Sequence, residues 1–597
     1  MFHNSVGKYG LSEGMAFVKN LCVLLALMLC LTVSACSDPG DEPRVTRKAL
    51  SETQTIATDF LRTELALSPE TATRLNLERY LGPSAIHQLD NHSQAGFERR
   101  RLLRIELLQR LRLRPRLPAD HALARDLTIA ETALVDLIAL EQLGYGRFSY
   151  RALRPYAVDP YSGIWLEGPR LLAYEHALNT TTDALAFVAR LKALSQAVDD
   201  TRRRLIADQS SGIQMPRLLA RETQRRVEVL ADGNAAALEE ISVIFDALTL
   251  DVEDLEPQQR LQLSALVSDE VEFNLRPAYR RLGETLQIVA ESAPEQTGIW
   301  AQPEGLDLYL GILKAATGAR IATGRLHQRH IDAVKDRRLA LLQTISVPDD
   351  MLEDQPERLS RLLPWYEEVL VGRSAPIQPA FVSDPRIEQV AEGALVELPQ
   401  AKAPLELVFE TPSFQALAPA LRDFQNLLVQ PPYLDWRTKG DGALMPYREI
   451  VEYPAILMGS RLYAWEQRVP DLNTDPLEAL AIQSVGLILS ALAAADTGLH
   501  LERWSVAQAT EYLAVNTGLT EPLCRQLALR AAASPGKFAA AMASYHRLET
   551  LSERAQAVLG DRYSAIEFQR IVFQPGPRPL SIIETDIEAW YAEELRN

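Results

Sequence analysis

From about residue 51 onward, apolar side chains recur every three to four positions along almost the whole chain, the rhythm of amphipathic helices. In "TTTDALAFVARLKALSQAV", Thr181 or Thr182 is placed to cap and Asp183 suits the positive helix start. Leu185, Val188, Leu191, Leu194 and Val198 are then expected to share one apolar stripe. "WSVAQATEYLAVNTG" carries a capping box: Ser505 at the N-cap, Gln508 three residues on, and Gly518 where the helix should stop. Strand patterns are scarce. The best is "GALVELPQAKAPLELVFETP" (393–412), where two β-leaning runs flank a proline-containing turn. No fixed-period repeat is present, so the pattern predicts a mainly α protein with a minor β element. "RRRLLRIELLQRLRLRPR" (99–116) alternates leucine and arginine in helical rhythm. It reads as a packed helix with a solvated arginine face, or else as a helix lying on a membrane surface.

The N-terminus breaks the rhythm. Leu21 to Ala35 form an apolar run, shorter than a membrane-spanning helix requires but suited to the core of a secretory signal. It ends in Val33, Ser34, Ala35 and Cys36, which resembles the lipobox of bacterial lipoproteins, where the cysteine is lipidated. Residues 1–35 are then a lipoprotein signal peptide, and residues 36–50 hold the lipidated Cys36 and a flexible tether rich in Pro, Gly and charge. An uncleaved anchor helix is the alternative, and Met15 offers a second start for translation. With Cys22 and Cys30 removed and Cys36 lipidated, Cys524 is left as a lone thiol, so packing rather than a disulfide must hold the fold.

At 597 residues the chain is long enough for two lobes, assigned here to 51–290 and 291–597. Its formal charge of −17 argues against a nucleic-acid partner. Among catalytic signatures there is no G-x-S-x-G, P-loop, G-x-G-x-x-G, paired C-x-x-C or H-E-x-x-H. Three weaker constellations remain. His327 and His330 sit about one helical turn apart near Asp332, enough for two metal positions but short of a closed site. His546 and Glu549 have the same i,i+3 spacing. His500 follows Asp496, Thr497 and Gly498. It reads either as a loop histidine bonded to backbone or as a remnant of an active centre.

Through these residues the chain resembles the bacterial family called domain of unknown function 885. "DPYSGIW", "NTTTDALAFVARLKAL", "GIQMPRLL" and "LRPAYRRLGETL" fall in family order. "GIWAQPEGLDLYLGILKAATG" and "LHQRHIDAV" resemble its G-x-x-x-x-P-x-G-x-x-x-Y and I-H-x-x-G-L segments. "DTGLHLERWSVAQATEYL" resembles D-T-G-[LI]-H-x-x-G-W-[ST]-x-x-Q-A-x-x-Y, and "LGDRYSAIEFQRIVFQPGPRPL" its ending.

The resemblance implies a large, two-lobed helical, zincin-like fold related to zinc peptidases. Such a site needs imidazoles for zinc, a glutamate to activate water and a further carboxylate ligand. Aligned on the motifs, this chain lacks them. The H-E-x-x-P-G-H-H motif falls near "NLLVQPPYLDW", with neither His nor Glu, and the ligand glutamate of E-G-W-A-L-Y-A-E becomes Met458 beside a matching Tyr463. A tyrosine becomes Ala541, its neighbouring lysine Met542, an arginine Leu492, and a terminal histidine Gln569. The expectation is an envelope lipoprotein without catalytic residues or cofactor. It would hold a peptide or protein partner in a former cleft marked by Asp496, His500, Trp504 and Tyr463. Alternatives are a hydrolase with a non-standard site recruiting His327, His330 and His500, or a purely structural lipoprotein. Ser37 after Cys36 points to the outer membrane, facing the periplasm of a Gram-negative cell.

Overall fold

A helix leaves its first N–H groups without partners, so helix starts reveal which side chains are set aside to cap them. Ser505 caps the Val506–Thr517 helix: its Oγ accepts from the Gln508 N–H at 3.2 Å, and the Gln508 side chain accepts from the Ser505 N–H at 2.8 Å. Gly518 closes that helix at φ +74°, a conformation glycine adopts without strain. The Thr181–Ser210 helix starts one residue earlier than its sequence indicates. Thr180 is the N-cap rather than Thr181 or Thr182, because the Asp183 carboxylate folds back to accept the Thr180 N–H at 3.0 Å. Thr181 instead donates its hydroxyl to the Asp254 carbonyl at 2.7 Å.

The computed structural model describes residues 46–118, 121–232, 238–344, 450–467, 476–519, 521–573 and 575–596. Within them the chain is mainly α-helical, with one two-stranded antiparallel sheet pairing Arg147–Phe148 with Leu153–Arg154. Strands of two residues are too short for an alternating pattern to register, which is why the sequence does not announce them. The β-leaning run at 393–412 lies outside the described residues, as do the apolar N-terminal run, Cys36 and the 426–436 segment. The first described helix begins at Arg47 with Thr46 as N-cap, so helix takes over the last residues of the stretch expected to be tether. No helix among the described residues is long and apolar enough to cross a membrane.

Two groups of helices stand out. Thr181–Ser210 and Arg217–Ala231 both pack on Arg276–Ser292. Leu326–Thr344, Pro454–Glu466 and Lys537–Leu559 gather around Pro476–His500. The Gly305–Thr317 helix packs against both Ala122–Gln142 and Lys537–Leu559. Val188, Leu191, Leu194 and Val198 are buried as their stripe requires, but Leu185 is 43% exposed. Steps of three residues each fall short of a full turn, so the start of that run rotates away from its end.

The arginine-rich helix, Gln94–Arg112, packs through Leu107 and Leu111 but departs from the expected pattern at three positions. Arg100 and Arg104 are buried, while Leu102 is 61% exposed. Arg104 grips Glu64 in bidentate fashion, Nε to Oε1 at 3.1 Å and Nη2 to Oε2 at 3.0 Å. Its Nη1 donates to Glu141 at 2.5 Å and to the Phe148 carbonyl at 3.2 Å. Acidic residues on the flanking helices therefore draw the Arg104 guanidinium inward, while Arg99, Arg110 and Arg112 keep to the exposed face of a helix packed through Leu107 and Leu111. Removing one partner strands the other charges in the interior, so Arg104→Ala should lower stability by roughly 3–5 kcal/mol. Arg104→Lys should recover only part, since an ammonium cannot reproduce the fork. Urea unfolding of the three proteins checks this.

Candidate functional site

The Lys537–Leu559 helix begins after Gly536, held at φ +76°, and has no capping side chain of its own. Its cap arrives from another helix. Asp496, fully buried on Pro476–His500, accepts the Gly536 N–H on Oδ1 at 2.9 Å and the Phe538 and Ala539 N–H groups on Oδ2 at 3.0 and 3.1 Å. The Tyr309 hydroxyl donates to Oδ1 at 3.0 Å. Burial pushes the Asp496 carboxyl up to about 7, against the downward pull of those donors. Its oxygens are spent on holding a helix start, where the aligned peptide dipoles favour an anion.

His500 lies one turn further on, in the last turn of the same helix rather than in a loop. Its Nδ1 accepts the Ile299 N–H at 3.0 Å and its Nε2–H donates to the Ala531 carbonyl at 3.1 Å. That pairing fixes one neutral tautomer and leaves neither nitrogen for substrate or metal. Burial draws its pKa down to about 4. The Tyr309 ring lies 5.6 Å away, so one tyrosine contacts both Asp496 and His500.

The other sequence candidates separate in space. His327 Nδ1 lies 2.8 Å from Thr497 Oγ1; because that hydroxyl donates to the Ala493 carbonyl at 2.9 Å, the ring nitrogen is the donor. Its ring meets Trp504 edge-on at 5.0 Å, and Trp504 lies so close to Gly498 that a Cβ there would sit 2.3 Å from the indole. His330 points elsewhere. It is fully buried, 6.3 Å from the His546 ring, and neither of its nitrogens has a partner among the described residues. Burial draws its pKa down to about 3. Tyr463 is buried against Tyr545 and Phe568, 6.3 and 6.0 Å between ring centres, with its phenol pushed up to about 12 by burial.

A polar cluster that the sequence does not flag lies beside these rings. Arg337 pairs with Glu466, and the Tyr545 hydroxyl meets both Glu466 and Glu549, the latter at 2.8 Å. His546 Nδ1 completes the chain at 2.9 Å from Glu549. The i,i+3 spacing of His546 and Glu549 is visible in sequence, but Arg337 and Glu466 are 129 residues apart. Among the described residues no three His, Cys, Asp or Glu side chains are placed to share a metal ion.

The positions where the resembled peptidases carry reactive groups are apolar or half-buried here. Leu492 and Ala541 are fully buried, Met458 packs against the core and Gln569 is half-buried. Gly459 brings backbone against backbone: a Cβ there would lie 2.3 Å from the Ala541 carbonyl oxygen. A half-buried thioether, a leucine and an alanine offer no hard or nitrogen donors, and the nearby histidines His500 and His327 are hydrogen-bonded. The described residues do not fit a peptidase zinc ion.

The fold and these residues define a large helical protein of the kind seen in two crystal structures, each described as a "putative lipoprotein". The one from Colwellia psychrerythraea superposes with a TM-score of 0.74 at 18% identity, covering 91% of this chain and 100% of its own. The one from Shewanella oneidensis, described as of unknown function, gives 0.60 at 11% identity, covering 89% and 99%. At such identity the likeness is one of fold. Residues 69–347 and 462–587 match the profile of "Bacterial protein of unknown function (DUF885)", and the chain belongs to that family. No curated protein matches it.

His500 is neutral in the fold but free to take a proton when unfolded, near pH 6.5. Unfolded chains therefore bind more protons between about pH 6.5 and 4, and stability falls across that window as the pH drops. His500→Gln should unfold at lower urea concentration at pH 7.5, with a shallower loss between pH 6.5 and 4. Urea titrations at a series of pH values read both effects.

Proposed function

We propose that this protein is an envelope lipoprotein, anchored through Cys36, that binds a peptide segment of a partner in the former peptidase cleft without cleaving it. Asp496 carries the reading. The acid of the family's D-T-G motif accepts hydrogen bonds from Tyr309 and from the N–H groups of Gly536, Phe538 and Ala539. It works as a strut, and the positions that would face a reacting carbonyl are Leu492 and Ala541 in the core. Replacing ionisable groups by apolar ones of adequate fit preserves a fold, since the apolar side chain leaves no charge unpaired. Attachment to the outer membrane with the body in the periplasm follows from the lipobox-like Val33–Cys36 stretch and Ser37. The description of two structural neighbours as a "putative lipoprotein" supports the lipid anchor but says nothing of which membrane holds it.

A second reading, an active hydrolase with a non-standard site, draws on His330 and His546, three of whose ring nitrogens are buried and have no partner among the described residues. One experiment separates the two. The full-length protein is incubated with a peptide library, with and without added zinc, and the mixture is analysed by mass spectrometry. Retention of a subset of peptides, all intact, supports binding without cleavage. Cleavage products that vanish in His330→Ala would replace that reading with the hydrolase.

A further inference from the structure

A second site lies apart from the former cleft and shares no residue with it. A cavity of about 320 Å³ opens between the Leu143–Tyr145 loop, the end of the Thr181–Ser210 helix and the Pro303–Glu304 turn. Tyr145 ties the loop to the turn by donating its hydroxyl to the Pro303 carbonyl. Arg204, with its side chain 4% exposed, lines one wall over the Phe97 ring at 4.4 Å. Its Nε donates to Asp208 and its Nη2 to the Gly144 carbonyl at 2.8 Å. Its Nη1 has no protein partner among the described residues, and neither does Asp208 Oδ2.

At the rim sits Glu304, exposed, its side chain without an ion pair or hydrogen bond among the described residues. Its backbone is left-handed, φ +50°, ψ +25°, a conformation that glycine adopts freely and glutamate only at a cost. Its side chain caps nothing in the helix that follows. The chain thus bears strain to present a carboxylate that stabilises no neighbour, a pattern that belongs to binding sites.

The charges define the occupant. Arg204 and Asp208 offset each other, so Glu304 leaves the cavity with one excess negative charge. Beside it are one guanidinium N–H group, able to meet a carbonyl or carboxylate, and a carboxylate oxygen of Asp208. The volume is at the small end for ligand cavities, about 300–1,000 Å³, and admits an amino acid or dipeptide rather than a folded partner.

We infer that this cavity binds an α-ammonium group with its adjacent carbonyl, as carried by a free amino acid or by the N-terminus of a peptide. Glu304 and Asp208 Oδ2 take the ammonium, and Arg204 Nη1 takes the carbonyl or carboxylate oxygen. The inference does not depend on what the former peptidase cleft holds.

Isothermal titration calorimetry on the full-length protein tests it with L-alanine, the dipeptide Ala-Ala and N-acetyl-alanine. At least one of the first two should bind, and the acetylated probe should not. Alanine binding alone assigns free amino acids; tighter binding of Ala-Ala assigns peptide termini. Glu304→Gln, on the exposed rim, should weaken binding at least tenfold. Glu304→Gly should lose binding and yet unfold at a higher temperature, because it removes the backbone strain together with the carboxylate. Absence of binding by both amine-bearing probes at millimolar concentration would overturn the inference. So would equal binding of the acetylated probe, or a Glu304→Gln protein that binds like the wild type.

Discussion

The carboxylate of Asp496 at the start of the Lys537–Leu559 helix is the interaction on which the C-terminal half depends. A helix start buried without acceptors would leave several N–H groups unsatisfied, each costing about 1–3 kcal/mol. Gly536 frees the backbone to turn, and Asp496 accepts the donors that the turn exposes. Tyr309 then ties the Gly305–Thr317 helix to the same carboxylate. One acid thereby fixes three helices, and His500, one turn later, adds the Ile299 turn and the end of the Glu521–Ala533 helix. With both nitrogens bonded to backbone, His500 belongs to this scaffold.

The same logic explains why these positions matter to the fold whatever the protein binds. Asp496, Gly498, His500 and Trp504 hold helices in register, so they are needed whatever the cleft does. Met458, Leu492 and Ala541 occupy places where charge is costly once it has no partner. Apolar side chains settle there with ordinary core packing. The Arg337–Glu466–Tyr545–Glu549–His546 chain shows that the interior still tolerates charge where every charged group has a partner.

What the sequence disclosed followed from range. The Ser505–Gln508 box and Gly518 are legible because their bonds close within three or four residues. The role of Asp496 was hidden, since Gly536 is 40 residues away and Tyr309 187. Arg104 misled for the same reason. Its partners Glu64 and Glu141 are 40 and 37 residues distant, so nothing local set it apart from the exposed arginines of the same run. Thr180 displaced Thr181 because the reach of Asp183, not the first apolar residue, decides where the helix begins. The family motifs point to positions along the chain but give no sign of which way each side chain faces. His327 and His330, neighbours on one helix, meet different partners for that reason.

Whether His500 is a strut or an available ligand can be read directly from its ring nitrogens. The full-length protein, labelled with ¹⁵N at its nine histidines, would be titrated with zinc near pH 7, with His500→Gln identifying the signals. A strut should show an unchanging neutral tautomer, Nε2 protonated and Nδ1 bare, unmoved by stoichiometric zinc. A His500 Nδ1 or Nε2 resonance that shifts or broadens with one equivalent of zinc would mean the nitrogen is available after all. The Asp496–His500 segment would then have to be treated as a working metal site.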